Sequence, residues 1–285
     1  MTIDDLHWKR SSNKEFRNVE ADWTSFDRII NWMQNFEINL STIIHSVTKL
    51  PKINGSALII DKSMASTNYF KQLPQLQKYK GTIICCDRAL YTLIPHRLPN
   101  YVCNLDASPL CINFFDRPDV KEIMDEVIAV FSVTTNPLTI RHWHGNRVFF
   151  TPGLLNFGLT KRMMEQTKTP FMQTGGQVAS FAYLLAYNLG ANPIGLFGIT
   201  HSYDKRSEAE LPRAKLKKKK GPHGIVWQDQ MYESYNETFL KFIEALTKKN
   251  VSTINTMQNG LLYSKYVVDM SLREFIHIEG ESSSD

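Results

Sequence analysis

Gly81-Thr82-Ile83-Ile84-Cys85-Cys86-Asp87-Arg88 is the stretch on which the reading of this chain turns. Thr82–Cys86 shows no alternation of apolar and polar residues, as a strand buried on both faces requires, and an aspartate follows it at once. The same pattern recurs upstream, where Ala57–Ile60 is followed by Asp61, and downstream, where Tyr101–Leu105 is followed by Asp106. Val127–Val133, Arg147–Phe150, Pro193–Ile199 and Val251–Ile254 are further short apolar runs. Helix-length stretches separate them: Asn68–Tyr79, Ala89–His96, Gln177–Leu189 and Gln230–Lys249.

Buried strands alternating with helices predict an α/β fold, a Rossmann-like, doubly wound and mostly parallel sheet. Residues 1–54 form an N-terminal helical segment in this reading, because Trp23, Phe26, Ile29, Ile30 and Met33 recur near helical spacing. Pro51–Gly55 marks the boundary. Residues 55–278 are expected to make up the Rossmann-like domain, and 279–285 a disordered tail rich in serine.

The chain has 285 residues and a net charge of +5. Lys205–Lys220 alone holds eight Lys or Arg against two Glu, so the remainder sums to −1. Basicity confined to one segment argues against a general nucleic-acid binder. The run Lys215–Lys220 reads as a solvated connection, or as a basic lid over phosphate groups. The four cysteines lack CxxC spacing, which points to a reduced, cytoplasmic protein. Met1–Asp5 is acidic and no apolar stretch follows it, so no signal peptide is expected. The longest apolar run, Val178–Tyr187, is about half of what a bilayer needs, so no membrane association is expected.

In an open α/β sheet, ligands bind beyond the carboxyl ends of the strands. Three of those ends carry aspartate. Each could serve only as a helix cap; together they suit Mg²⁺, which takes one or two carboxylates plus substrate phosphates. Thr174-Gly175-Gly176 opens an apolar helix, where bare backbone N–H groups would receive an anion. His142-Trp143-His144 has strand spacing, but no third metal ligand lies nearby in sequence.

ALII (57–60), GTIICCDRAL (81–90) and LPNYVCNLDASP (98–109) resemble the archaeal 6-hydroxymethyl-7,8-dihydropterin diphosphokinases. So do TGGQVASFAYLLAYNLGANPIGLFGITHSY (174–203), DQMYESYNETFL (229–240) and STINTMQNGLLY (252–263). That family shares a domain with bacterial motility accessory factor glycosyltransferases. The resemblance implies Mg²⁺-dependent diphosphate transfer from ATP to a pterin or related small acceptor. It makes Asp87 and Asp106 the catalytic pair that holds the metal. Ser63, Ser66, Ser108, Gly175, Gly176 and Tyr203 would bind the co-substrate, with Tyr203 or Trp227 stacking the pterin. Small-molecule substrates are the expected partners, and self-association into a homo-oligomer is left open. Where the family has a Gly-x-Gly-Pro-Ser turn after the first strand, this chain reads Asp61-Lys62-Ser63-Met64-Ala65-Ser66. Thr200 stands where the family often has Asp, and Met257-Gln258-Asn259-Gly260 replaces Thr-Glu-Gly-Gly. A glycosyltransferase using a nucleotide-activated sugar, or a degenerate ligand-binding scaffold, are the alternatives.

Overall fold

The apolar runs form strands where their burial demands it. The computed structural model describes residues 26–62, 67–153, 157–204 and 216–282. Its strands are β1 (Ala57–Ile60), β2 (Thr82–Cys86), β3 (Tyr101–Asn104), β4 (Ile128–Ser132), β5 (Arg147–Pro152), β6 (Phe171–Met172) and β7 (Ile194–Phe197). The remaining strands are β8 (Lys217–Gly221), β9 (Gly224–Gln228), β10 (Thr253–Asn255) and β11 (Val267–Asp269). The helices are α1 (Phe26–Asn39), α2 (Thr67–Gln72), α3 (Leu90–Leu93), α4 (Pro118–Ile123) and α5 (Pro137–His142). They continue with α6 (Phe157–Thr167), α7 (Val178–Leu189), α8 (Gln230–Thr247) and α9 (Leu272–Ser282).

Nine strands make one parallel sheet in the order β11-β10-β7-β1-β2-β3-β4-β5-β6. The chain steps outward from β1 to β6, then returns to the other side of β1 with β7. That reversal makes the β1/β7 boundary a topological switch point, where the connections above the sheet diverge and leave a crevice.

Side-chain alternation along each strand divides the core into two layers. Leu58, Ile60, Ile83, Cys85 and Val102 pack with Tyr69, Leu73, Leu90, Ile123 and Phe275 on one face. Ala57, Ile59, Ile84, Cys86 and Cys103 pack with Phe181, Leu185, Phe239 and Ile243 on the other. Helix α7 lies between the sheet and α8 and is apolar nearly all round, with Phe181 stacked on Phe150 of β5 at 3.9 Å. Gly190 ends it in the left-handed region at φ 100°, which an L side chain resists. The N-terminal segment packs on the same sheet: Phe149 N–H donates to His45 O (2.8 Å) and Ile53 N–H to Leu189 O (2.7 Å).

Three expectations need correction. The tail is expected to begin at residue 279, yet the helix Leu272–Ser282, with Leu272 and Phe275 buried in the core, runs past that boundary; residues 283–285 lie outside the described residues. His142 closes α5 and Trp143 is buried in the core, so the strand spacing read for His142 and His144 is not realised as a strand. Lys217–Lys220 is not a structureless connection but part of the first strand of an antiparallel hairpin with β9. Four adjacent lysines have no apolar period, so the sequence offered no strand signal there. The remainder of that segment, residues 205–215, lies outside the described residues.

Candidate functional site

A cavity of about 770 Å³ opens above the carboxyl ends of β1, β2, β3, β4 and β7. Asp61, Asp87 and Asp106 all line it, together with Ser108, Gly175, Gly176 and Tyr203. Of the residues expected to form the site, Ser63 and Ser66 lie outside the described residues. Trp227 is not in the wall.

Asp87 is buried. Its Oδ1 accepts from Arg88 N–H (2.7 Å) and its Oδ2 from Asn104 Nδ2 (2.6 Å). Burial is the main reason its carboxyl is pushed up to about 7, and the charge of Asp61 adds to it. Asp61 is raised to about 6, again chiefly by burial, against the lowering effects of the Lys62 N–H bond and the Arg88 charge. Adjacent strands explain the coupling, since β1 and β2 are neighbours and each ends in an aspartate. Strand order was the missing signal: the sequence showed both aspartates but not that these two strands lie side by side. Asp106 is exposed at the rim, and its Oδ1 accepts from Ser108 N–H at 2.8 Å. Ser108 Oγ in turn accepts from Leu110 N–H at 3.2 Å and caps the short 3₁₀ turn that follows.

The glycines at the start of α7 both adopt left-handed backbone, at φ 58° for Gly175 and 76° for Gly176. Added methyl groups would come within 2.8 Å of Phe242 and 3.3 Å of Tyr235, respectively. Gln177, the N-cap, makes no side-chain cap to the helix. Its amide turns instead to His201, whose Nε2 lies 3.0 Å from Gln177 Oε1 and whose Nδ1 lies 3.2 Å from Asn236 Oδ1. Burial pulls the His201 imidazole down to about 4, so the ring is neutral at physiological pH and its single N–H donates to one of the two amide oxygens that face it. His201 thereby ties the loop after β7 to α7 and α8 at the switch point, a role the sequence did not reveal. Tyr203 is a wall rather than a free hydroxyl: its OH donates to Asp229 Oδ2 at 2.8 Å, and its ring lies 4.9 Å from Tyr232.

The lysine hairpin contributes no wall residue. Lys217 and Lys219 pair with Glu233 of α8, at 2.5 and 2.8 Å. Among the described residues no helix is long and apolar enough to cross a membrane.

A parallel sheet with helices on both faces, and a crevice at its switch point, defines a Rossmann-like α/β protein. Residues 68–206 match the sequence model of the family described as 6-hydroxymethylpterin diphosphokinase MptE-like, in agreement with the resemblance read from the sequence. Among solved structures the chain is similar to a MAf glycosyltransferase from Magnetospirillum magneticum AMB-1, at 13% identity and a TM-score of 0.59. That match covers 87% of this chain and 41% of the other, so the chain spans less than half of that structure, and the likeness is one of fold. No curated protein matches the chain.

Proposed function

We propose that this crevice transfers a diphosphate group from ATP to the hydroxymethyl group of a reduced pterin, or of a related small acceptor. One observation carries the reading: two carboxylates at the ends of neighbouring strands, Asp61 and the buried Asp87, line the same cavity as a double-glycine helix start. Anionic phosphate favours the N-terminus of α7, where backbone N–H groups and the helix dipole converge.

The carboxylates fit Mg²⁺. Asp61 and Asp87 both carry raised pKa values, so two negative charges in this setting are unfavourable, and a bound cation relieves them. Among the described residues no group of three or more His, Cys, Asp or Glu is placed to hold a metal, so a cation here takes its remaining ligands from water and phosphate. We assign it to Asp61 and Asp87, with Asp106 at the rim. When bound, the ion would neutralise charge on the transferring phosphates.

The residues of the chain position and exclude. Gly175 and Gly176 let phosphate approach the backbone. Asn104 and Arg88 N–H hold the Asp87 carboxylate in one orientation. Tyr203 and Tyr232 close one wall. The acceptor oxygen attacks the β-phosphorus, the bond to the α,β-bridging oxygen breaks, AMP departs with that oxygen, and the hydroxyl proton passes to solvent. The sugar-nucleotide alternative has only fold likeness behind it.

Phosphorus NMR of protein, MgATP and 6-hydroxymethyl-7,8-dihydropterin tests the proposal. AMP and a new diphosphate ester should appear in equal amounts and only with Mg²⁺. Unchanged ATP, or ADP as the product, would overturn it.

A further inference from the structure

The two faces of the sheet bring different charges to the cavity. Gly175 and Gly176 open α7, which packs on the face of Ile59 and Ile84. Trp32 and Asn35 of α1 line another part of the wall. On the opposite face, where Tyr91 and Phe114 pack against the layer of Leu58 and Ile60, the lining carries Lys62 and Arg88. Lys62 follows Asp61 and Arg88 follows Asp87, so the two cations leave the ends of the neighbouring strands β1 and β2. Lys62 Nζ lies 4.6 Å from the centre of the Tyr91 ring and donates to its hydroxyl. Arg117 lies 4.7 Å from the same ring but has a carboxylate partner in Asp119, at 3.1 Å. Among the described residues no carboxylate pairs with Lys62. The Arg88 guanidinium lies 5.7 Å from the Phe114 ring, and its charge offsets part of the burial that raises Asp61 and Asp87.

Charge decides what these cations do. A divalent ion on Asp61 and Asp87 is cancelled by the two carboxylates, and Asp106 keeps the rim negative. The start of α7 offers only about half a positive charge. A nucleoside triphosphate is charged on every phosphate, most of all on the terminal one, and neither feature balances it. Among the described lining residues, Lys62 and Arg88 are the lysine and the arginine. We propose that Lys62 and Arg88 form a second anion subsite, across the carboxylate pair from the glycine turn, for the terminal phosphates of a nucleoside triphosphate. The glycine turn then takes the weaker charge of the α-phosphate, and the phosphate chain crosses the strand ends between the two places. Lysine meets the terminal phosphate as a point charge, while the fork of arginine meets two phosphate oxygens at once. The subsite rests on the diphosphate-transfer reading for its part in a reaction, where it holds the transferred diphosphate as AMP departs. Its binding role needs no turnover.

Calorimetric titration in excess Mg²⁺ separates the two anion places. The probes are ATP, inorganic tripolyphosphate and AMP. The proteins are the parent, Lys62→Gln, Lys62→Arg and Arg88→Gln, each checked for an unchanged cooperative melt. Lys62→Gln and Arg88→Gln should each weaken ATP and tripolyphosphate by about tenfold or more, as loss of a hydrogen bond to a charged group does, and leave AMP within about twofold. Lys62→Arg keeps the charge and should lose less than Lys62→Gln. The losses should shrink as salt rises. Arg88 also favours the ionised forms of Asp61 and Asp87, so Lys62 gives the decisive comparison. ATP affinity unchanged in Lys62→Gln would overturn the subsite and leave the transfer reading standing. An equal loss for AMP, or a parent that binds neither ATP nor tripolyphosphate, would overturn it too. If ATP and tripolyphosphate weaken as stated but phosphorus NMR shows no AMP released, the subsite stands and the transfer reaction falls.

Discussion

Asp87 shows how far a single residue's chemistry departs from its free behaviour. Its carboxyl is raised from 3.8 to about 7, so between those values the folded protein binds a proton that the unfolded chain releases. Stability therefore falls as pH rises through this window, and the penalty is fully present above it. Asp61, Asn104 and Arg88 surround the group, and only Asp61 adds to the burial penalty. Asp87→Asn removes the charge and should stabilise the ligand-free protein by about 1–3 kcal/mol at pH 8, since raising a carboxyl by one pH unit costs the charged form ~1.4 kcal/mol. The difference from the parent should vanish near pH 4, and melting curves across that range check it. A pH-independent difference would show that the carboxyl is not perturbed. The sequence displayed Asp61, Asp87 and Asp106 as equals. What separates them is desolvation and neighbouring charge, which depend on strand order and depth.

Helix α7 and the turn before it were legible because two glycines and an unbroken apolar run are local signals. Their strain is a property of the element. Gly175→Ala places a methyl 2.8 Å from Phe242 and 3.0 Å from Ser180 at a φ of 58°, whereas Gly176→Ala meets only Tyr235, at 3.3 Å. Denaturant midpoints should show Gly175→Ala losing about 2–3 kcal/mol and Gly176→Ala about 1. Equal losses would mean that the turn yields without disturbing α8. The hairpin β8–β9 was hidden because four adjacent lysines carry no apolar period, while Lys217 and Lys219 pair with Glu233 of α8. Changing Lys217, Lys218, Lys219 and Lys220 to Gln should leave MgATP affinity within about twofold, since two of them face Glu233 and none lines the cavity. Calorimetry at low salt, where screening is weakest, gives the most demanding comparison. A loss confined to triphosphate would restore the lid. Edge strand β11, three residues long and largely exposed, was likewise silent in sequence, because a short edge needs little apolar pattern.

At the scale of the molecule, the parallel sheet followed from the alternation of buried strands and helices, and the crevice from the rule that ligands sit where the strand order reverses. The placement of α1 did not follow, because it depends on Asn35 and Asn39 meeting carbonyls some ninety residues away. Asn39→Ala leaves two buried carbonyls without those donors and should cost about 1–3 kcal/mol in thermal or denaturant unfolding. It should also loosen the α1 end of the cavity before the glycine-turn end, which hydrogen exchange resolves. The account as a whole stands on a nucleotide seated between the glycine turn and the paired carboxylates. Calorimetric titration of ATP into the parent and Asp87→Asn proteins, with Mg²⁺ and with EDTA, measures that directly. The prediction is saturable binding by the parent with Mg²⁺, weakened at least tenfold by EDTA or by the substitution, since either removes one side of the carboxylate–cation contact. Equal binding under all four conditions, or binding under none, would contradict it.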